Sequence, residues 1–191
     1  MGKILSTELL KNDFDKLIKL NPVVYRELKK FVKVKRYQKS EIIKPINQID
    51  QYARYIHSGY IAKLFPAETG RDYRVRIFSK GTVACDFESF YKEKLTGFYL
   101  QALSYVSAFE IKKNDVDKVI EVSHDFSKLA AKINNLIHMQ AETWNHIREL
   151  PLEEGYQVLK NNFPNELQFL SKKDLAFFFN TSIYQVNKSI E

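Results

Sequence analysis

Residues 55–81 have the sequence YIHSGYIAKLFPAETGRDYRVRIFSKG, and the prediction of the fold starts from this stretch. It contains three apolar or alternating runs, at 55–57, 60–65 and 73–78. Ser58-Gly59 and Thr69-Gly70 separate the runs, and Lys80-Gly81 closes the last one. Short alternating runs divided by turn residues are typical of antiparallel strands. The stretch therefore predicts part of an antiparallel barrel or roll.

The strand pattern extends from about Phe31 to Ile111, and helical spacing precedes it. Within residues 7–30, Leu9, Leu10 and Phe14 recur at helical intervals, and Asn21-Pro22 interrupts the pattern. We therefore expect two lead helices before the roll and assign residues 1–112 to one domain.

A long helix is predicted after the roll, over residues 113–150. Asn114 to Asp117 resembles a helix start, Ser123-His124 restarts the pattern, and Pro151 ends it. The apolar stripe of this segment continues for roughly six turns. Such a stripe either packs on its own domain or also pairs with a second copy, and we expect the second. The side chains assigned to this dimer helix are Leu129, Ile133, Leu136, Ile137 and Trp144.

Residues 151–191 contain three short helical patterns. The first spans Leu152 to Asn161, the second begins at Ser171 with a capping-box spacing, and Ser182 caps the third. A helix, a three- or four-residue turn and a second helix form the arrangement that places a helix on DNA. Many small helical bundles share this pattern.

The composition excludes several classes of protein. No run approaches the ~18 apolar residues of a membrane helix, and Met1 to Ser6 lacks the apolar core of a secretory signal. The one cysteine, Cys85, excludes an intrachain disulfide and any four-cysteine cluster of this chain's own. We expect a cytoplasmic protein without a membrane partner, a metal site or a catalytic centre.

The order of elements resembles the cyclic-AMP receptor and fumarate-nitrate regulator (Crp/Fnr) family. The resemblance rests on DFESF at 86–90 followed by YLQAL at 99–103, on HSGY at 57–60, on FSKG at 78–81, and on LEEGY at 152–156 leading to Phe163-Pro164. It implies that residues 1–112 form a sensor domain with a cyclic-nucleotide-binding-type β-roll of the jelly-roll kind. It also implies a dimerisation helix and a C-terminal helix-turn-helix domain.

The resemblance also implies where a ligand pocket lies. Family members that bind cyclic nucleotides hold the phosphate with a short helix and an arginine, and the ribose with a carboxylate. The carboxylate position falls near Asp86, but the arginine position falls on Thr96 or Gly97, which carry no charge. We therefore expect no cyclic nucleotide bound in the usual way. The pocket is either vestigial or takes another, unidentified small-molecule effector. Its predicted residues are Gly81, Cys85, Asp86, Phe87, Glu88, Thr96 and Gly97.

The C-terminal end is predicted to contact DNA through its last helix. The base-contacting candidates are Tyr184, Gln185, Asn187 and Lys188, with Ser182 as the cap and Lys172 and Lys173 as phosphate contacts. Residues 150–191 carry four basic and five acidic side chains, although the whole chain has a net charge of +7. The positive excess therefore lies away from the predicted DNA-binding end.

Two functions follow from the sequence. The first is a homodimeric transcription regulator that binds DNA and could also contact RNA polymerase or another protein. The second is a ligand-binding or protein-interaction module that kept the fold and lost operator binding. The missing pocket arginine, the neutral-to-acidic C-terminal segment and the surplus of phenylalanines in Phe177-Phe178-Phe179 are the features in favour of the second. The order of elements favours the first, which is the function that we predict. Three adjacent aromatic residues cannot all point inward on one helix, so we expect at least one to face the sensor domain or a partner.

Overall fold

The computed structural model describes residues 7–68, 70–122 and 124–190 of the chain. Two helices come first, α1 (Thr7–Phe14) and α2 (Pro22–Leu28). Asn21 caps α2, since its side chain accepts a hydrogen bond of 3.0 Å from the Val23 N–H, and Pro22 occupies the first helical position.

The strands within the described residues form two four-stranded antiparallel sheets. They are β1 (Lys33–Tyr37), β2 (Ile42–Lys44), β3 (Tyr52–Ser58), β4 (Ile61–Pro66), β5 (Asp72–Phe78), β6 (Val83–Ala84), β7 (Tyr99–Ala102) and β8 (Val106–Lys112). The strand orders are β1-β8-β3-β6 and β2-β7-β4-β5. Most neighbours within a sheet are not consecutive in the chain, so the chain crosses repeatedly from one sheet to the other. This is the topology of a β-roll.

Gly59 makes one of these crossings, between β3 and β4. Its φ of +90° is a conformation that side chains rarely adopt. An added Cβ would press against the Tyr105 carbonyl oxygen and lie 2.9 Å from the Val106 Cα. The predicted turn at Ser58-Gly59 therefore needs glycine for two reasons, the backbone angle and the closeness of the chain at the start of β8.

Helices follow the roll. They are α4 (Lys113–Val122), α5 (His124–Glu149), α6 (Leu152–Asn162), α7 (Pro164–Leu167), α8 (Lys172–Phe178) and α9 (Ile183–Ser189), and the short α3 (Phe87–Lys92) lies between β6 and β7. Pro151 separates α5 from α6, as expected of a residue that cannot continue a helix. Ser171 and Ser182 form capping boxes with Asp174 and Gln185.

Three clusters of buried apolar side chains connect these layers. The first fills the space between the two sheets and includes Ile56, Phe78 and Leu100. The second joins the outer face of the β1-β8-β3-β6 sheet to α1, α2, α4 and the first half of α5. The third joins β4 and β5 to the second half of α5 and the C-terminal helices. The molecule is therefore layered, with helices outside each sheet.

The predicted α+β class is confirmed, including the antiparallel roll, the long helix and the small helical end. The short elements β2, β6 and α7 were not predicted, because a run of two to four residues is too short to show a periodicity. The segment 113–150 comprises two helices, α4 and α5, and Ser123, the predicted restart, lies outside the described residues.

Candidate functional site

The predicted pocket centres on Asp86, which immediately precedes α3 and is fully buried. Its side chain makes no capping hydrogen bond to that helix. Its carboxylate accepts hydrogen bonds from Lys63 Nζ at 2.7 Å, from Lys44 Nζ at 3.1 Å and from the Thr96 hydroxyl. Lys44 Nζ also donates to Thr96 Oγ1 at 2.9 Å and to the Phe98 carbonyl at 2.7 Å. Two lysines of this chain thus occupy the acceptor sites of the carboxylate that a ribose hydroxyl would use.

These contacts settle the ionisation of Asp86. Burial raises the pKa of a carboxyl group, but the charge of Lys63 and the hydrogen bonds from Lys63, Thr96 and Lys44 act in the opposite direction and are stronger together. The pKa of Asp86 therefore lies below its ordinary value, and the group is a carboxylate at neutral pH. It repels an anion, while both neighbouring lysines are already paired.

A second buried network lies beside the first. Arg54 Nη1 donates to Asp50 Oδ1 at 2.9 Å, and Arg54 Nε donates to Glu110 Oε1 at 3.0 Å. Tyr37 donates its hydroxyl to Glu110. Asp50 also accepts the Asp86 backbone N–H at 2.8 Å, which joins the two networks. The charges of the roll are therefore satisfied largely from within the chain.

The other predicted pocket residues are dispersed. Cys85 is buried, and burial raises the pKa of its thiol to about 12, so it remains protonated. The Phe87 ring faces α5, with its centroid 4.6 Å from that of His138. Glu88 is exposed and pairs with Lys92 at 3.3 Å, and Gly97 is also exposed.

Gly81 closes the turn after β5 rather than facing a ligand, with a φ of +82° and its N–H donating to the Ile56 carbonyl at 2.9 Å. Of the seven predicted pocket residues, the structure joins only Asp86 and Thr96 through a side-chain hydrogen bond. Their shared network also contains Lys44 and Lys63, which the sequence analysis missed. Lys63 stands in the otherwise apolar run 60–65, and that position was the available signal for an inward-facing cation.

The arginines of β5 do not act as a pair, although strand alternation puts Arg74 and Arg76 on one face. A register shift between Lys63 and Leu64 interrupts the pairing of β4 with β5. Arg74 Nη1 reaches Asp174 Oδ2 at 3.3 Å in α8, whereas the Arg76 guanidinium lies 4.5 Å from the Phe78 ring centroid. Burial lowers the pKa of Arg76 to about 10, so it keeps its charge at neutral pH.

The C-terminal helices form the predicted helix-turn-helix. Ser182 Oγ accepts the Gln185 N–H at 3.1 Å, and the Gln185 side chain reaches back to the Ser182 N–H at 3.4 Å. Val186 anchors α9 in the core, while Asn187 and Lys188 are exposed and the Tyr184 side chain is 73% exposed. Gln185 is exposed too, but its side-chain oxygen serves the cap. The free polar face of α9 therefore consists of Tyr184, Asn187 and Lys188.

The helix-turn-helix unit packs against the roll through α8 and β5. The Phe177 ring stacks on Tyr73, with the centroids 4.4 Å apart, and on Phe65 at 5.5 Å. This contact confirms that one of the three adjacent phenylalanines faces the roll. Asp174 accepts the Arg74 backbone N–H at 3.1 Å in addition to the Arg74 side chain. Lys172 and Lys173, at the start of α8, remain exposed.

Helix α5 contacts both halves of the molecule. Leu129 and Ile137 are buried in the cluster with α1 and α2, and Ile133 packs against it. Trp144 is buried among the C-terminal helices, 5.5 Å from the Phe163 ring. Most of the predicted dimer stripe therefore packs within the single chain. Leu136 is half-buried, and it adjoins Met139, which is 65% exposed.

The described part of the chain contains no group of three or more His, Cys, Asp or Glu side chains placed to hold a metal ion. Over the same residues, no helix is both long enough and apolar enough to cross a membrane.

Comparison with known proteins gives a likeness of structure. No known protein family matches the sequence, and no curated protein is similar to it in sequence. FixK2 from Bradyrhizobium japonicum superposes with a TM-score of 0.60 at 14% identity, over 83% of this chain and 82% of that one. CLP, the c-di-GMP-responsive global regulator of Xanthomonas campestris, gives 0.60 at 12% identity, over 89% and 90%.

A mutant of CooA from Carboxydothermus hydrogenoformans is a third match, with a TM-score of 0.58 at 16% identity over 86% of this chain and 77% of that one. At such identities the matches concern the fold. They extend over more than four fifths of this chain. The chain therefore has the fold of the Crp/Fnr-type regulators.

Proposed function

We propose that this protein is a homodimeric, DNA-binding transcription regulator whose roll does not bind a cyclic nucleotide in the usual way. The observation that carries the proposal is the exposed polar face of α9, a helix that a capping box holds in place within a chain that has the regulator fold. The proposed parts are a sensor at 1–112, a dimerisation segment at 113–150 and a DNA-binding part at 151–191.

In this proposal α9 enters the major groove. Asn187 can form a bidentate contact with adenine, and Lys188 can reach guanine or a phosphate. Among the residues that the structure describes, Lys188 has no ion-pair partner. Its charge is therefore available for a contact with DNA. Lys172 and Lys173 supply phosphate contacts that fix the orientation of the domain without specifying sequence.

A second copy would double these contacts. The apolar stripe of α5 is mostly covered by the chain's own core, which leaves the face with Leu136, Met139 and Thr143 for pairing. A two-fold pair of α9 helices binds half-sites about 34 Å apart, one turn of DNA. The proposed operator is therefore an inverted repeat with that spacing.

The case against ordinary cyclic-nucleotide binding rests on Asp86. A cyclic nucleotide needs a cation for its phosphate and a free carboxylate for its ribose. The family resemblance places the arginine at Thr96 or Gly97, neither of which carries a charge, and the carboxylate of Asp86 is engaged by Lys44 and Lys63. Binding would require both ion pairs to break in a buried setting, which is strongly unfavourable.

Helix α5 supports the coupling between sensor and DNA-binding part. Its first half packs on the roll side and its second half packs on the C-terminal helices. A shift of the helix would move Trp144 against α8 and change how the two α9 helices are spaced. The contact between Arg74 and Asp174 also links β5 directly to α8.

The proposal is tested by electrophoretic mobility shift of the purified protein on its own upstream DNA, at two salt concentrations. We expect a sequence-specific shift that Asn187→Ala abolishes or weakens strongly, because one bidentate base contact is worth about 1–3 kcal/mol per site. The matched control is Lys39→Ala, which removes an exposed lysine of the roll and should leave the shift unchanged.

The salt dependence separates base contacts from phosphate contacts. Loss of Lys172 and Lys173 in both copies should reduce the slope of log affinity against log salt by about 4, roughly one for each lost phosphate contact. Absence of any shift at low salt would refute the proposal and favour a ligand- or protein-binding module. Cyclic AMP should change none of these results.

A further inference from the structure

The structure contains a cavity of about 270 Å³ outside the roll. It lies between the outer face of the β1-β8-β3-β6 sheet, the lead helices α1 and α2, and the helices α4 and α5. Phe109 forms the sheet side of the wall, Leu10 and Leu28 the lead-helix side, and Leu129, Ile133 and Ile137 the α5 side. This space is separate from the predicted pocket around Asp86.

The wall is apolar and the polar groups lie at one side. Apart from tyrosine hydroxyls, the polar side chains that line the cavity are Lys113, Asp117 and Asn134, at the α3–α4–α5 edge. The Asn134 side chain accepts a hydrogen bond from the Tyr91 hydroxyl. An apolar space with a few polar groups at one end is the usual form of a small-molecule site.

The size of the cavity points to an occupant. The cavity is partly open to solvent, and its walls are the kind of apolar surface that a small apolar ligand covers. A cavity of about 150 Å³ lined by similar side chains stays dry and takes up benzene. The present cavity is larger, so it has room for a longer apolar molecule.

Lys113 indicates the head group of that molecule. Its Nζ lies 2.9 Å from Glu93 Oε1 and 3.1 Å from the Tyr91 carbonyl oxygen. The Glu93 side chain is 62% exposed, and ion pairs with such exposed partners contribute little. A ligand carboxylate can therefore replace Glu93 at Lys113. Asp117, which is exposed at the same edge, disfavours a second negative charge.

We propose that this cavity binds a monocarboxylic acid with an unbranched aliphatic tail, with the carboxylate at Lys113 and the tail among the apolar walls. The binding of this acid does not depend on the function proposed above. A role of the acid as an effector does rest on that proposed function. Because α5 forms one wall and carries Trp144 to the C-terminal helices, a filled cavity would set the position of that helix.

The test is isothermal titration calorimetry of the full chain with sodium decanoate and, separately, with decanol. We expect saturable binding of decanoate to one site per chain. Ala130 lines the cavity from α5, and Ala130→Phe should abolish binding by filling it. Lys113→Met should weaken decanoate about tenfold, since it removes a charge-assisted contact, and leave decanol unchanged. Lys94→Met is the matched control, because Lys94 is exposed and does not line the cavity.

Circular dichroism of each variant confirms that it is folded, and Lys113→Met, at the edge, keeps the test valid if Ala130→Phe does not fold. Absence of saturable decanoate binding by the unaltered chain overturns the proposal. So does equal binding by decanoate and decanol in every variant. A dimer that Ala130→Phe dissociates, without decanoate binding, would assign the cavity to a second copy of the chain and also overturn it.

The DNA mobility shift, repeated with decanoate, separates the two proposals. Decanoate binding without any DNA shift supports the proposal that the cavity binds an acid and refutes the regulator function. A DNA shift without decanoate binding refutes only the proposal that the cavity binds an acid. A shift whose affinity changes with decanoate, and does not change in Lys113→Met at the same concentration, supports both.

Discussion

Replacing Asp86 with asparagine should lower the free energy of unfolding by about 3 kcal/mol, the lower end of the range for breaking a buried ion pair. The substitution keeps the shape of the side chain and removes the charge that neutralises Lys44 and Lys63. The lower end applies because Lys44 keeps its hydrogen bonds to Thr96 and to the Phe98 carbonyl oxygen. Lys63 is less buried than Lys44 and can turn toward water.

Thermal and urea unfolding, followed by circular dichroism, measure this loss. For a chain of this length we expect the midpoint temperature to fall by about 6–12 °C. Glu88→Gln is the matched control, because it removes an exposed pair with Lys92 and should change the free energy by less than about 0.5 kcal/mol. Lys44→Met combined with Asp86→Asn should cost less than the sum of the single changes, since the two side chains are in contact.

The same network predicts a pH dependence. The folded-state pKa of Asp86 lies below its unfolded value of about 3.9, so its stabilisation is fully present above that pH. It is lost as the pH falls through the folded-state pKa. Unfolding free energies measured between pH 5 and pH 2 should therefore fall more steeply for the unaltered chain than for Asp86→Asn. This account of the roll would be refuted if Asp86→Asn lowered the free energy of unfolding no more than Glu88→Gln does. It would also be refuted if that free energy depended on pH in the same way in the unaltered chain and in Asp86→Asn.

Three other predictions test the packing, the thiol and the cap. Gly155→Ala should destabilise the chain by at least 1 kcal/mol, within the ~1–3 kcal/mol typical of overpacking, because its Cβ would press against the Phe179 ring; an unchanged urea midpoint would contradict this. Cys85 should resist iodoacetamide at pH 8 in the folded chain and react after unfolding, as mass spectrometry can show, because it is buried with its pKa raised to about 12. Ser182→Ala should cost about 1 kcal/mol by removing the cap of α9, whereas Gln185→Ala should cost less; equal urea midpoints for the two variants would argue against the cap.

Local sequence patterns were sufficient to predict the helices and strands whose signals come from residues close together in the chain. The Ser171 and Ser182 caps were predictable because a cap needs only residues three positions apart. The strands within residues 55–78 were predictable because alternation with turn residues is a property of adjacent residues. The resemblance carried by residues 86–90 and 99–103 led from these elements to the correct fold.

The contents of the roll could not be predicted in the same way. Lys44, Lys63 and Asp86 are 19 to 42 positions apart along the chain, and only the crossing of strands between the two sheets brings them together. The sequence analysis identified Asp86 as a carboxylate without an arginine opposite it, but nothing local showed that two lysines pair with it.

The sequence by itself determined the succession of lead helices, roll, long helix and small helical end, the main turns and the two capped C-terminal helices, since each depends on residues close together in the chain. The tertiary structure decided what the long helix covers, where Phe177 packs, which charges fill the roll, and that an apolar cavity lies outside it. These depend on which faces meet, and the physical reason is that packing and ion pairing act between residues that are distant in sequence and close in space.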